Sequence, residues 1–420
     1  MKKTRSTAVI LAVFLLLTSC KPTPEPMPSE EQAPGQALPD QEGSAAFWHA
    51  FNPQSQAGQF LERRIEQYNR TDPDYRILNQ PLGSCTALLQ QLEESASDST
   101  TPAAAWICVG ASNPATEITS PGSLQAFLGE DQTEALASGI DPEYLERISS
   151  SAGLNAVPFN LSTPVIVYNM DLLNQSGLDS GFISSGWFEL LDSAYIVLDN
   201  TDVPGIVFGL DPSWMVELMI TTQGGRMLDE DNEPAFNIGE WTRPLYTLAD
   251  LHELGAVSFS ASASEAASAL ENGAVAMAVI PYEQATRFTG DAAYGAAAWP
   301  SASAAPGGLP VSGGALYILA DEPALQGAAA DFIRFLIEET TNEMWVQESG
   351  MIPADQTALD LFRSSPPTDT AAAAVQYLDA GSLHAEYSLD YLAVQEIFST
   401  TLEDIVLPEF GVERATTEAM

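Results

Sequence analysis

The hydroxyl pair Ser162-Thr163 lies between two prolines in the stretch Val157-Pro158-Phe159-Asn160-Leu161-Ser162-Thr163-Pro164-Val165-Ile166-Val167-Tyr168-Asn169. A proline biases the residue before it away from helix, so Val157 and Thr163 should be extended. Val165 to Tyr168 is apolar and rich in β-branched residues, which predicts a buried strand. Two small hydroxyls are thereby presented on irregular backbone where a strand begins. A hydroxyl both donates and accepts, which suits a ligand that does the same. The same residues also fit a plain surface loop leading into a core strand. Gly313-Gly314, in Ser312-Gly313-Gly314-Ala315-Leu316-Tyr317-Ile318, is a second place of close backbone approach. Paired glycines can offer N–H donors directly to a ligand, or form a bulge before a strand.

Chemistry that breaks bonds finds little support. Pro310-Val311-Ser312-Gly313-Gly314 lacks the leading glycine of a G-x-S-x-G nucleophile turn. The three histidines, His49, His252 and His384, show no metal-ligand spacing. Asp and Glu are too abundant to nominate a glycosidase pair. The residues point to binding, with no metal and no cofactor. A secreted glycan-acting enzyme is the catalytic rival.

The elements that must position these residues begin after a leader. Lys2, Lys3 and Arg5 precede the apolar run Ala8 to Leu17, which is too short to span a bilayer. Leu17-Thr18-Ser19-Cys20 resembles a bacterial lipobox, which implies a signal peptide over 1–19, lipid on Cys20 and a membrane anchor. Residues 20–45 interleave proline with Glu, Gln, Ser and Gly, a composition that buries no core and predicts an extended tether. The body from Ala46 onward is too long for one core, so two lobes are expected.

Within it, Ala46 to Phe51, Tyr75 to Leu78 and Ala103 to Val109 read as strands. Helices carrying Phe60, Leu61, Ile65 and Tyr68, then Leu88, Leu89 and Leu92, separate them. This alternation predicts parallel βαβ units, with ligand at the carboxyl ends of the strands. Gly205 to Gly209 is another strand, and Met215 to Thr222 a helix closed by Gly224-Gly225. Leu389, Leu392, Val394, Ile397, Phe398, Leu402 and Ile405 make an apolar stripe near the end of the chain. Cys85 and Cys108 fall where two first-lobe strands should end. An exported protein meets oxidising conditions, so a disulfide between them and two separate thiols are both open.

The stretch around Ser162 resembles the "P-F-N-S-S-T-P-V-L-Y-Y-N-K-D" segment of extracellular solute-binding proteins of ABC importers, especially the glycerol-3-phosphate type and its sugar-binding relatives. Other segments follow in the family's order. They are Phe47-Trp48-His49 with Asn69 to Tyr75, Trp187 to Leu191, Leu270 to Ile280, Ser312 to Ile318, and Ser349-Gly350-Met351-Ile352-Pro353. The resemblance implies a two-lobe α/β periplasmic-binding-protein fold of type II with a multi-strand hinge. The lobes are expected to be discontinuous, 46–157 with about 300–345, and 158–299 with about 346–420. It also implies ligand contacts from Ser162, Thr163, Trp214, Tyr282, Gly313 and Gly314, with Trp48 and His49 at the cleft rim. The implied partners are a small carbohydrate and membrane permease subunits, for a monomer facing the periplasm or cell exterior.

The departures from the family concern the ligand. The glycerol-3-phosphate type has tyrosines where this chain has Cys85 and Met351, a glutamate near Val109-Gly110, and an arginine that falls on Gln395. Phosphate recognition favours arginine forks and charge-assisted donors. A neutral sugar, oligosaccharide or polyol is therefore expected, with glycerol-3-phosphate or a glycerophosphodiester as the alternative. A ligand-sensing lobe for a sensor kinase stays open beside the importer role.

Charge sharpens this. The chain holds 15 basic and 57 acidic residues, net −42; removing Lys2, Lys3 and Arg5 with the leader leaves 12 against 57, or −45. The only lysines are Lys2, Lys3 and Lys21, so the body has none. Such a surface repels nucleic acid and anionic membrane. It suits a saline setting, because self-repulsion is screened by salt, with the Debye length falling from about 10 Å at 0.1 M to about 3 Å at 1 M. The melting temperature should therefore climb as NaCl rises from millimolar to molar. A flat or falling curve in a calorimetric salt series would contradict the saline reading.

Overall fold

Two β-sheets divide the chain, and the polypeptide passes between them more than once. The computed structural model describes residues 43–98, 101–108, 124–140, 144–145, 148–150, 153–154, 156–183, 185–210, 212–222, 238–260, 262–300, 309–338, 343–379 and 381–382. The leader, Cys20, the tether as far as residue 42 and the 389–405 stripe lie outside the described residues, while Ser44 and Ala45, expected in the tether, already belong to the first strand. No described helix is long and apolar enough to cross a membrane.

The chain opens with β1 (Ser44–His49), α1 (Gln56–Asn69), β2 (Arg76–Pro81), α2 (Cys85–Asp98) and β3 (Ala104–Cys108). Next come α3 (Leu124–Leu128), α4 (Glu130–Ser138) and the short pair β4 (Ser149–Ser150) and β5 (Gly153–Leu154). Then β6 (Ala156–Ser162) runs into β7 (Pro164–Asn169). The second sheet's elements follow: α5 (Met170–Gln175), α6 (Ser180–Ile183), α7 (Trp187–Thr201), β8 (Ile206–Phe208), α8 (Pro212–Thr222), α9 (Ile238–Glu253), β9 (Val257–Phe259), α10 (Ala263–Glu271), β10 (Met277–Pro281), α11 (Tyr282–Ala285) and β11 (Tyr294–Ala298). The return comprises β12 (Leu309–Pro310), β13 (Ser312–Ile318), α12 (Pro323–Ile337), α13 (Glu343–Glu348) and β14 (Ile352–Pro353). Last are α14 (Gln356–Ser364), α15 (Asp369–Leu378) and β15 (Gly381–Ser382).

The first sheet has the order β14-β6-β13-β3-β1-β2, the second β11-β7-β10-β8-β9. In the first, β1 runs parallel to β2 and β3, while β13 is antiparallel to β3 and β6. The helix-strand alternation legible in the sequence produces that parallel half, because a crossover helix returns the chain in the same direction. Phe47 on β1 meets Phe332 of α12 edge-on at 5.2 Å, and Phe332 meets Tyr68 of α1 at the same distance. This aromatic wedge fixes α1 and α12 on one face of the first sheet. The second core stacks Trp187, Phe208 and Trp299, with the Trp299 indole N–H donating to Thr222 Oγ1 at 2.8 Å.

The passage between sheets falls at Thr163. The expected boundary at 157/158 lies inside β6, which pairs with β13 as far as Ser162 and with β14 at Asn160 and Leu161. A proline inside a central strand removes a ladder donor and is tolerated mainly at irregularities. Pro158 sits opposite Ala315, where the β6–β13 register shifts between Gly314 and Ala315. Pro164 sits opposite Pro281 at the end of the β7–β10 ladder.

Cys85 and Cys108 are not joined by a disulfide. The sheet order explains it: β2, which leads to Cys85, and β3, which ends at Cys108, lie on opposite sides of β1. The strands that lead to them are two strand spacings apart, roughly 9–10 Å, against a usual Cα separation of under about 7 Å in a disulfide.

His49 closes β1 and is wholly buried. Its Nδ1 accepts from the Phe51 N–H at 3.2 Å, so the neutral ring carries its proton on Nε2, which donates to Asn79 Oδ1 at 2.8 Å. Burial lowers its pKa to about 4, against the Asn79 bond, which works the other way. The unfolded chain, with an ordinary value of 6.5, therefore binds more protons between those limits. Stability from His49 is present above pH 6.5 and is lost as pH falls toward 4, roughly 3 kcal/mol in all at about 1.36 kcal/mol per pK unit. Ring-nitrogen NMR should show His49 as the neutral Nε2–H tautomer at pH 5.5. An imidazolium there would contradict the buried clamp.

Candidate functional site

Thr163 alone separates β6 of the first sheet from β7 of the second, so its neighbours belong to both. Ser162 Oγ, at the end of β6, donates to the Glu283 carboxylate in α11 at 2.6 Å. The Tyr282 N–H donates to the Thr163 carbonyl at 2.9 Å. These two bonds tie the crossing to the carboxyl end of β10, where Pro281 ends the strand and α11 begins. The Thr163 hydroxyl is buried and makes no hydrogen bond. Glu283 is half-buried. Desolvation raises its carboxyl above the usual range, and the bonds from Ser162 and from its own backbone offset part of this. An acceptor that solvent reaches poorly thus stands beside an unused hydroxyl.

Trp214 reaches the same region from α8. It is half-buried, and its indole N–H donates to the Pro310 carbonyl at 3.2 Å. The Tyr377 hydroxyl donates to that carbonyl too, at 2.6 Å. The Trp214 N–H is therefore spent within the protein, which leaves only the ring face for a ligand. Pro310 leads into Ser312, and Ser312 pairs with Ser162 in the β13–β6 ladder. Ser162, Thr163, Glu283, Ser312 and, through Pro310, Trp214 are thus linked around the crossing.

Other anticipated residues take different places. A Cβ on Gly313 would come within 2.3 Å of the Asn160 carbonyl oxygen. One on Gly314 would enter the Trp106 ring, which itself donates to Asn160 Oδ1 at 2.8 Å. Both glycines are thus demanded by packing within the sheet. Tyr282 turns its ring edge-on to Phe362 of α14 at 5.7 Å and is buried. Trp48 and His49, anticipated at a rim, are buried at the carboxyl end of β1, 2 % and 0 % exposed.

Two participants escaped the sequence reading. One is Glu283, whose signal was a carboxylate following directly on an apolar strand. The other is Asn52, which follows β1 and donates from Nδ2 to Ser264 Oγ in the first turn of α10 at 3.0 Å. That bond joins the two halves directly at the carboxyl ends of their strands, and no periodicity could have revealed it. Among the described residues, no group of His, Cys, Asp and Glu is placed to hold a metal ion. The arrangement can accept from and donate to hydroxyl groups and can offer a ring face.

Known proteins agree with this architecture. Residues 52–343 match the family model described as bacterial extracellular solute-binding protein. The sn-glycerol-3-phosphate-binding periplasmic protein UgpB of Shigella dysenteriae is 23% identical over 369 residues, 77% of this chain and 78% of that protein. Its Escherichia coli K12 counterpart is 24% identical over 365 residues, with the same coverage. Among solved structures, maltose-bound MalE3 of T. maritima superposes with a TM-score of 0.73 at 16% identity, covering 89% of this chain and 98% of that one. UgpB from Mycobacterium tuberculosis in complex with glycerophosphocholine gives 0.72 at 18%, covering 90% and 97%. These structures are two-lobe binding proteins, and the two sheets joined at Thr163 are the same arrangement. With the family model spanning well over half its length, the chain belongs to the bacterial extracellular solute-binding proteins, the substrate-capturing components of ABC importers.

Proposed function

We propose that this protein captures an uncharged polyhydroxy compound, a sugar, oligosaccharide or polyol, between its lobes and delivers it to an ABC permease. The lobes would be 44–162 with 309–353, and 164–299 with 356–379, hinged where the chain crosses. Lipid on Cys20 and the tether over 20–45 would hold a monomer at the outer face of the membrane, and the protein would catalyse no reaction of its own.

The observation that carries the ligand class is the acceptor-rich crossing. Ser162, Thr163 and Glu283 supply hydroxyls and a carboxylate. Several arginines are engaged elsewhere: Arg287 forks onto Glu271, Arg334 bonds Asp331 and the Phe127 carbonyl, and Arg70 and Arg363 face Glu66 and Asp379. A phosphate needs charge-assisted donors and would meet the Glu283 carboxylate. Sugar hydroxyls can donate to that carboxylate, and the Trp214 face can stack on the apolar side of a ring. The sequence relatives that bind sn-glycerol-3-phosphate make phosphate esters the second class to test.

A thermal-shift screen in high salt should therefore show stabilisation by maltose, other oligosaccharides or polyols. Glycerol-3-phosphate and glycerophosphocholine should have no effect. Tight binding of the phosphate esters alone would defeat the ligand class. Trp214→Ala should weaken the best neutral ligand by on the order of 1–3 kcal/mol, the transfer value of a buried apolar side chain. Calorimetry on both proteins checks it, and unchanged affinity would remove Trp214 from the site.

A further inference from the structure

Three hydrogen-bonding groups on adjacent strands of the first lobe stand unused. Trp48 and Gln80 are register partners on the parallel strands β1 and β2. Partners in a parallel ladder project from the same face of the sheet. Both residues are more than nine-tenths buried, at 2 % and 7 % exposed. The Trp48 Nε1, the Gln80 Nε2 and the Gln80 Oε1 all lack a hydrogen-bond partner.

Neighbouring polar groups are not treated this way. His49 and Asn79, on the opposite face, satisfy each other at 2.8 Å. Asn69 bonds both the N–H and the carbonyl of Ile77. Trp106 bonds Asn160. Burying a polar group without a partner is costly, so native structures pair the great majority of them. A lone orphan such as the Tyr317 hydroxyl is one group. Two donor groups and an acceptor, brought together by strand register, form a recognition pattern. They also lie in the penultimate positions of β1 and β2, at the carboxyl ends where open α/β sheets bind ligands.

We propose that the Gln80 amide and the Trp48 indole N–H form a first-lobe subsite for a pair of ligand hydroxyls. The chemistry selects that class. A hydroxyl accepts from Trp48 Nε1–H or Gln80 Nε2–H while its own proton goes to Gln80 Oε1, so two hydroxyls satisfy all three groups. A phosphate or carboxylate only accepts and would set its charge against Oε1. An ammonium only donates and would leave both N–H groups unmet. The subsite rests on the polyhydroxy reading of the cleft and extends it to the first lobe.

The test compares wild type, Gln80→Leu and Trp48→Phe. Each is first unfolded in denaturant without ligand, then titrated by calorimetry with maltose, maltotriose, D-tagatose and sorbitol. Gln80→Leu removes an unsatisfied amide, so its ligand-free stability should equal or exceed wild type. Its affinity for the best wild-type ligand should fall tenfold or more, with a smaller fall for Trp48→Phe. Lower ligand-free stability of Gln80→Leu would show that the amide serves the fold and would overturn the subsite. Unchanged affinity in Gln80→Leu, with wild type binding normally, would overturn it too while leaving the polyhydroxy reading intact. If wild type binds none of the four compounds, that reading falls and takes the subsite with it.

Discussion

The whole arrangement depends on one extended residue, Thr163, through which two strands of different sheets are continuous. The β6 ladder ends at Ser162 and the β7 ladder begins at Pro164. Proline at that point cannot donate to a ladder and holds its own φ near −65°, so the strand pairing of one sheet cannot propagate unbroken into the next. The two bonds that brace the crossing, Ser162 to Glu283 and Tyr282 N–H to the Thr163 carbonyl, both come from α11. At this crossing the strands on either side are laddered into their sheets and the residue between them is not.

The same constraint places polar groups where they cannot all be satisfied internally. Glu283 receives a bond from Ser162, yet burial still raises its carboxyl. Thr163 keeps an unused hydroxyl, and Trp48 and Gln80 keep three unused groups at the first-lobe strand ends. Compare the Pro310 carbonyl, doubly bonded by Trp214 and Tyr377. There the protein uses its acceptor fully and leaves the indole only a face. Satisfied groups set geometry; unsatisfied ones at strand ends are those with capacity left for a ligand.

Sequence pattern carried the fold further than the site. The apolar runs at Val165 to Tyr168 and Ala104 to Cys108 are strands because β-branched and small apolar residues pack on both sides of a buried sheet, and that is local information. The crossing was harder to place. Pro158 reads as punctuation, but the register shift opposite it lets a central strand accept a proline. Whether a proline ends a strand depends on its partner strand, which local sequence does not contain. Trp48 and His49 show the same limit: the family resemblance implied a cleft rim, whereas both are buried, and burial is set by how the helices cover the sheet. Gly313 and Gly314 were legible as places of close approach, but the approaching atoms are the Asn160 carbonyl oxygen and the Trp106 ring.

The contact between Asn52 and Ser264 bears on how closure is balanced. It is one direct side-chain bond between residues 212 positions apart, and a neutral hydrogen bond contributes only about 0.5–1.5 kcal/mol net. A bond of that size is too weak by itself to lock the two halves together. A ligand held by both halves would add its own differential affinity for the closed form, which is what a population shift requires. A protein with a net charge of −42 also carries repulsion between its lobes, screened in salt. Closure on a ligand in this chain should thus reflect weak direct bonding, ligand contacts and ionic strength together.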